Sequence, residues 1–441
     1  MLFLWLACSS PSPPADVVLV VVDTLRADRL GIYGNPREVS PAMDAIGREG
    51  VWFTRAYAQS GWTLPSFVSL WTGKYPHEHK VGRQPGSYVE FGGLPESEET
   101  LAELFQRAGY STAAVINNTF LAPEFGVQQG FGTYLYEGSD NSTLRSAELT
   151  TKAALGWLEK SKGPRFLVVH YMEPHMRLEP SAEARGRFAS LDNPVLPVPF
   201  KIEHAKAMTD SGNIPPEKIA YALDLYDEEI LTVDLAFQEL VSGIKALGLW
   251  ENTLIGITSD HGEEFWDHGE FEHGHTLRSV LTRVPLILTG PGARGIGERS
   301  MVVEHTDLFH GLLAQAGIKA PPGTHGQDLF GLARRNASEE RWSLSENTLY
   351  GPPLISLVTP DHRLLMSPQT KMATVWKIDA QGRDGELVPE ARQKEVGAPL
   401  LEGMKAMRGN LDALEIVSGP QIPTQQVFQQ LKALGYISEE P

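Results

Sequence analysis

The chain has one cysteine, Cys8, among 441 residues. That excludes a disulfide framework and any cysteine-rich metal site. Positive charge is also scarce: 38 Lys and Arg stand against 55 Asp and Glu, a formal net charge of −17. A nucleic-acid binder needs a basic footprint to neutralise phosphates, so that class of partner is excluded. An anionic small substrate is not, because the field inside one pocket can oppose the global charge. No apolar run approaches the roughly 20 residues needed to cross a bilayer. Internal repeats are absent, which argues against a solenoid or propeller.

What remains is the composition of a folded protein, 41% hydrophobic and 21% charged. A single core rarely grows past about 250–300 residues, so a large domain and a smaller one are expected. The expected limits are a tether at 1–14, a catalytic domain at 15–336 and a C-terminal subdomain at 337–441. A short apolar stretch runs into Cys8 and is followed by a Ser/Pro segment at 9–14. This resembles the end of a bacterial lipoprotein signal. It implies an exported protein of the bacterial envelope or periplasm whose only membrane contact is a lipid on Cys8.

Residues 17–22 form a continuous apolar, β-branched run that stops at Asp23, the pattern of a buried parallel strand. Residues 166–169, 254–258 and 284–288 read the same way. Amphipathic helices are expected at 41–49, 99–108 and 220–247, the last with its acidic segment 224–229 turned to solvent. Pro/Gly-rich loops fill 185–216 and 290–297. Alternating strands and helices mean an α/β fold, with a large, mostly parallel central sheet flanked by helices. After residue 337 the pattern changes to short antiparallel strands at 354–358, 363–366 and 374–378 and a closing helix at 424–434, a small α+β subdomain. Ligands of such sheets bind beyond the carboxyl ends of the strands. Asp23, His170 and Asp260 each follow an apolar run and are therefore expected at one edge.

Four segments carry chemistry. Asp23 can offer a hard cation its carboxylate oxygen. Thr63-Leu64-Pro65-Ser66-Phe67 reads as a helix start, with Thr63 capping the first turn. The same position would aim a hydroxyl at an anion held by the helix N-terminus. The densest segment is Ser259-Asp260-His261-Gly262-Glu263-Glu264 with His268, His273 and His275 behind it, four of the chain's 13 histidines. Asp and His directly after a strand favour metal or anion binding. His170 and His175 form the fourth segment, again after a buried strand.

Taken together these segments resemble the sulfatase family of the alkaline phosphatase superfamily. The resemblance rests on Val22-Asp23-Thr24-Leu25-Arg26, Trp62-Thr63-Leu64-Pro65-Ser66, Thr72-Gly73, His170 to His175, Tyr226-Asp227-Glu228-Glu229-Ile230, Ser259-Asp260-His261-Gly262-Glu263, Arg283-Val284-Pro285-Leu286 and the late Leu434-Gly435-Tyr436. It implies that Asp23, Asp260 and His261 ligate one divalent cation, with Thr63 completing the shell as nucleophile. His175 and His275 would grip the anion or protonate the leaving group, and Asn118 and His170 would face the substrate. The Asp-His pair looks like that of phosphonate and phosphate diester hydrolases of the superfamily. A second metal set is not matched; His268 and His273 are the only spare candidates.

The sequence departs from the family at one informative place. Sulfatases carry Cys or Ser where Thr63 stands and oxidise it to formylglycine; Arg is also replaced, by Phe67. Threonine cannot undergo that oxidation, so no formylglycine is expected. A sulfated aldehyde hydrate collapses by C–O cleavage, whereas a threonine ester must be attacked at sulfur or phosphorus. Phosphoenzymes are resolved that way routinely. The expectation is a metal-dependent hydrolase of sulfate- or phosphate-type esters, acting through Thr63 on a phosphoester or phosphonate. The substrate would be a small-molecule, glycan or lipid ester. The cation, Ca, Mg, Mn or Zn, is left open, since an oxygen-rich site with one imidazole suits several. The alternatives are a true sulfuric ester hydrolase, a phospho-headgroup transferase and a non-catalytic binder of anionic glycans.

Overall fold

The computed structural model describes residues 16–83, 91–137, 145–336, 339–412, 420–421 and 425–433. The tether with Cys8 and the Leu434-Gly435-Tyr436 segment lie outside them. A nine-stranded sheet forms the centre. Its middle strand, Asp16–Val22, pairs in parallel with Arg165–Tyr171 on one side and Thr253–Thr258 on the other. Ser111–Ile116 and Thr133–Tyr136 extend the first side, also in parallel. On the second side lie Leu286–Thr289, Val51–Tyr57 and Gly297–Glu304.

The apolar run of the middle strand is explained by cover on both faces. Val17, Leu19 and Val21 enter one core and Val18, Val20 and Val22 the other, and all six are fully buried. Every position must then be apolar, rather than every second one.

Two expectations need correction. Residues 284–288 are not a parallel strand. They divide at Pro285 into Arg283–Val284 and Leu286–Thr289, both antiparallel to their neighbours. The chain leaves Thr258 at the carboxyl edge, makes its excursion through 259–282 and re-enters at that same edge, so it must run back down. The strands Val51–Tyr57, Ser111–Ile116 and Gly297–Glu304 went unread because their polar residues blur the apolar signal.

The second correction concerns the long helix, Pro216–Ala246. Its acidic segment faces inward: Asp227, Glu228 and Glu229 are buried. Asp227 is gripped by Arg29 at 2.8 and 2.6 Å and by Arg37 at 2.9 Å. Glu228 Oε1 accepts from the amides of Phe188 and Ala189 at 2.9 and 2.8 Å, and Glu229 accepts from the Glu179 amide. Glu228 and Glu229 anchor the irregular 179–200 segment by accepting from the amides of Glu179, Phe188 and Ala189. The loop expected over 185–216 also contains a helix, Ile202–Asp210.

C-terminal to residue 339 the chain forms a five-stranded antiparallel meander, Ser343–Glu346, Ile355–Val358, His362–Met366, Ala373–Ile378 and Asp384–Leu387. The helix Glu390–Arg408 covers it, burying Leu400 and Met404 against Leu357, Leu364 and Val375. Its first strand docks on the main sheet: the Glu346 amide donates to Gln59 O at 2.8 Å and Ser345 Oγ to Ala58 O at 2.7 Å. The closing helix is Gln425–Ala433.

Because Glu228 satisfies two buried amides, Glu228→Ala should destabilise the protein by about 1–3 kcal/mol. Glu228→Gln, which keeps the accepting oxygen, should cost less than half of that. Urea unfolding followed by circular dichroism checks both; equal losses would refute the anchoring role.

Candidate active site

Parallel register delivers the two acids. Val21 lies opposite Thr258, so Asp23 and Asp260 each stand two residues beyond a paired couple, at one edge of the sheet. Both leave the strands in tightly held turns. Thr24 has φ 56°, a left-handed conformation that a β-branched residue adopts only when its surroundings enforce it. Here the Thr24 amide donates to Asp260 Oδ1 at 3.2 Å, the Leu25 amide to Ser259 Oγ at 2.9 Å, and Tyr226 Oη to Thr24 O at 2.6 Å. The long helix thus reaches the site through Tyr226.

Asp23, Asp260 and His261 are fully buried, and one ligand atom of each lies within 4.8 Å of the others. Asp23 Oδ1 and Asp260 Oδ2 have no hydrogen-bond partner. His261 Nδ1 donates to Gly262 O at 2.9 Å, which leaves the Nε2 lone pair turned toward Asp260 Oδ2, 3.3 Å away. Burial, and then the Asp23 carboxylate, push Asp260 up; burial, and then His273, push His261 down. Burial also works against the Asp23 charge, yet His170, His175 and His261 outweigh it and hold Asp23 low. Two unpartnered carboxylate oxygens and an imidazole lone pair converging in full burial could hold a divalent cation.

Thr63 opens the helix Thr63–Thr72 but does not cap it. Trp62 is the N-cap residue, and no side chain caps that turn. The capping role expected for Thr63 is therefore corrected: as the first helical residue it turns its hydroxyl the other way. Thr63 Oγ1 lies 3.4 Å from His261 Nε2 and accepts from Asn118 Nδ2 at 3.4 Å. Asn118 Nδ2 also donates to Asp23 Oδ2 at 2.6 Å, and its Oδ1 accepts from the Phe120 amide at 2.8 Å. His170 lies inside its strand rather than past it, with Nε2 3.2 Å from Asp23 Oδ2. Ser66 Oγ ties the helix to Asp260 O at 2.5 Å.

The remaining histidines separate. His273 stacks near His261 with ring centroids 4.5 Å apart, and His175 near His273 at 5.1 Å. His273 Nδ1 meets Glu263 Oε1 at 3.0 Å. Burial pushes Glu263 up to about 8 and, followed by His175, pushes His273 down. His275 stands outside this set. Its Nε2 pairs with Glu264 Oε2 at 3.0 Å, and it lines a neighbouring cleft with Glu272, Phe271 and Tyr350. His268 lies elsewhere, at the mouth of another cavity. Sequence reasoning thus treated His273 only as a spare ligand and missed Glu263, because four histidines within fifteen residues carry no signal of which way each turns.

The sulfatase family model matches residues 15–318. This chain belongs to the sulfatase family of hydrolases. Human arylsulfatase A is 27% identical over 357 residues, which cover 75% of this chain and 70% of the relative. The ulvan-active sulfatase of Formosa agariphila is 26% identical over 360 residues, 74% of this chain and 66% of the relative. The chain thus spans about two thirds of the length of these relatives. Among solved structures, the phosphonate monoester hydrolase of Agrobacterium radiobacter superposes with a TM-score of 0.72 at 18% identity, covering 92% of this chain and 99% of the other. The BT4656 protein, solved with its substrate D-glucosamine-2-N,6-O-disulfate, gives 0.71 at 18%, covering 90% and 98%. These likenesses establish the shared alkaline-phosphatase-like fold.

The donor set predicts one divalent cation per chain, retained on dialysis. Asp260→Asn and His261→Ala should lose it, and Asn118→Ala should weaken binding about tenfold or more by freeing Asp23. Metal analysis by plasma mass spectrometry checks this; undiminished metal in Asp260→Asn would exclude the site.

Proposed function

We propose that this sulfatase-family protein hydrolyses a phosphoester or phosphonate ester by attack of Thr63 Oγ1 at phosphorus. Asp23, Asp260 and His261 would hold one divalent cation, with Thr63 beside it. The observation that carries the reading is the Thr63 hydroxyl. It is not spent on capping and sits between His261 and Asn118 at the end of a buried acid pair. A cation bound there lowers the pKa of a neighbouring hydroxyl and neutralises the anion's charge.

The chain's own groups do the rest. Asn118 and His170 fix the Asp23 carboxylate. The Thr63 and Leu64 amides at the start of the Thr63–Thr72 helix have no acceptors within the helix and would stabilise developing negative charge; Pro65 has no N–H and the Ser66 amide donates to Trp62 O at 3.4 Å. Thr63 Oγ1 forms a bond to phosphorus as the bond to the leaving alkoxide breaks, and the alkoxide takes a proton. Water then adds to phosphorus and Thr63 departs with a proton returned to Oγ1. His175, whose ring lies beside His273, would protonate the leaving group, and His275, in the flanking cleft, would contact the alcohol part of a substrate.

The names of the relatives favour a second reading, hydrolysis of a sulfuric ester, for which a threonine would have to be released by attack at sulfur. Phosphonate monoester hydrolases among the structures of the same fold support the first. The cleft beside His275 suits a glycan or small-molecule alcohol. Donor chemistry leaves Ca, Mg, Mn and Zn open. A lipid on Cys8 would place the enzyme in the envelope, and labelling with radioactive palmitate in cells tests that.

Metal-loaded protein should turn over an aryl phosphonate monoester or phosphodiester faster than an aryl sulfate. Thr63→Ala should lower kcat by roughly 10³-fold or more, with the metal still bound. Sulfate turnover that survives Thr63→Ala would overturn the nucleophile. Turnover that appears only with an alcohol acceptor would identify a transferase, and none at all, with metal bound, a binder.

A further inference from the structure

On the far side of the Arg26 loop lies a cavity of about 240 Å³ lined by Arg26, Asp28, Asp267, His268, Ser279, Val280, Arg283, Arg383 and Asp384. It sits where the 259–282 excursion, the turn after Asp23 and the C-terminal meander meet. Arg283 is the anomaly in its wall. The residue is 4% exposed. Its Nε donates to Thr54 O at 3.0 Å and its guanidinium stands 5.6 Å from the Tyr33 ring centre. Among the described residues it has no ion pair.

The acids around it are all engaged. Both oxygens of Asp28 and both of Asp267 accept from Arg26 at 2.8–3.0 Å. Asp384 accepts from Arg363 at 2.7 Å and from the Ser279 amide at 2.8 Å. Arg383 is held by Asp379 at 2.7 Å. A guanidinium does not deprotonate in a protein, and a buried charge without a partner is costly. Burial pulls Arg283 downward, and Asp28, whose charge opposes that pull, has both oxygens already bound to Arg26.

Further donors share the cavity. Ser279 Oγ accepts from the Asp384 amide at 2.8 Å and keeps its own proton to donate. The His268 ring makes no hydrogen bond among the described residues and lines the same cavity.

We propose that this cavity is a binding site for a small inorganic oxyanion of the phosphate or sulfate kind, held by Arg283 with Ser279 and His268. The ligand balances the unpaired guanidinium and ties the C-terminal meander to the turn that carries Asp23. The site is separate from the metal centre and does not depend on the reading of Thr63.

The test is equilibrium dialysis of the metal-loaded full chain against labelled phosphate and, separately, labelled sulfate. Wild type, Arg283→Gln and Asp23→Asn are compared, with circular dichroism as the check on folding. Asp23→Asn should keep a saturable oxyanion site, one per chain. Arg283→Gln should weaken that site at least tenfold. If Arg283→Gln does not fold, the double variant Ser279→Ala/His268→Ala decides, with a threefold or greater loss expected. The proposal is overturned if wild type shows no site outside the metal centre, if Asp23→Asn abolishes all binding, or if folded Arg283→Gln or the double variant binds as wild type does. Preference between the two anions tells which one the site takes.

Discussion

Two carboxylates that cannot both be charged unaided govern this structure. Asp23 and Asp260 lie in full burial with their ligand atoms inside 4.8 Å. Like charges about 4 Å apart repel by about 4 kcal/mol even at an effective dielectric of about 20. Left alone, one of the pair must keep a proton, which is the direction in which Asp260 is driven. A divalent cation held by the pair would turn the repulsion into attraction. The surrounding fold reads as the apparatus that keeps both acids in place until that happens.

That apparatus is rigid where precision is required. Parallel register sets the relative height of the two acids, and Tyr226 and Ser259 hold the strained Thr24 turn from opposite sides. The long helix carries Tyr226 on the same buried stretch that contributes Asp227, Glu228 and Glu229. One segment therefore fixes the metal turn, the Arg29 loop and the 179–200 loop together. The arrangement explains why four consecutive polar residues are buried near the middle of a helix: each meets a partner from another segment of the chain.

Charge matching continues away from the catalytic edge and fails at one point. Arg26 is flanked by two carboxylates, Arg363 and Asp384 pair in burial, and Arg408 meets Glu346 at 2.8 Å. Among the described residues, Arg283 is the arginine of that wall with no carboxylate in ion-pair contact.

Much of this was legible in the residues. Wholly apolar runs ending in Asp23 and Thr258 can only be strands covered on both faces, so the α/β class, the parallel centre and the carboxyl-edge location of Asp23, Asp260 and His261 follow from sequence and the chemistry of burial. The identity of Thr63 by itself fixes that no aldehyde can form there. Other features depend on contacts between residues far apart in the chain. Thr63 could have been a cap, and only the fold shows its hydroxyl turned to His261. The acids at 227–229 read as a solvated face because their partners, Arg29, Arg37 and the amides of 179–189, are brought to them only by packing. His273 and His275 differ by two positions in a non-repeating loop, where no periodicity dictates direction, and tertiary contacts with His261 and Glu264 sort them. Composition and period determined what is buried and where the sheet edge lies; long-range pairing decided which polar groups satisfy one another, because a hydrogen-bond or ion-pair partner hundreds of residues away leaves no trace in local pattern.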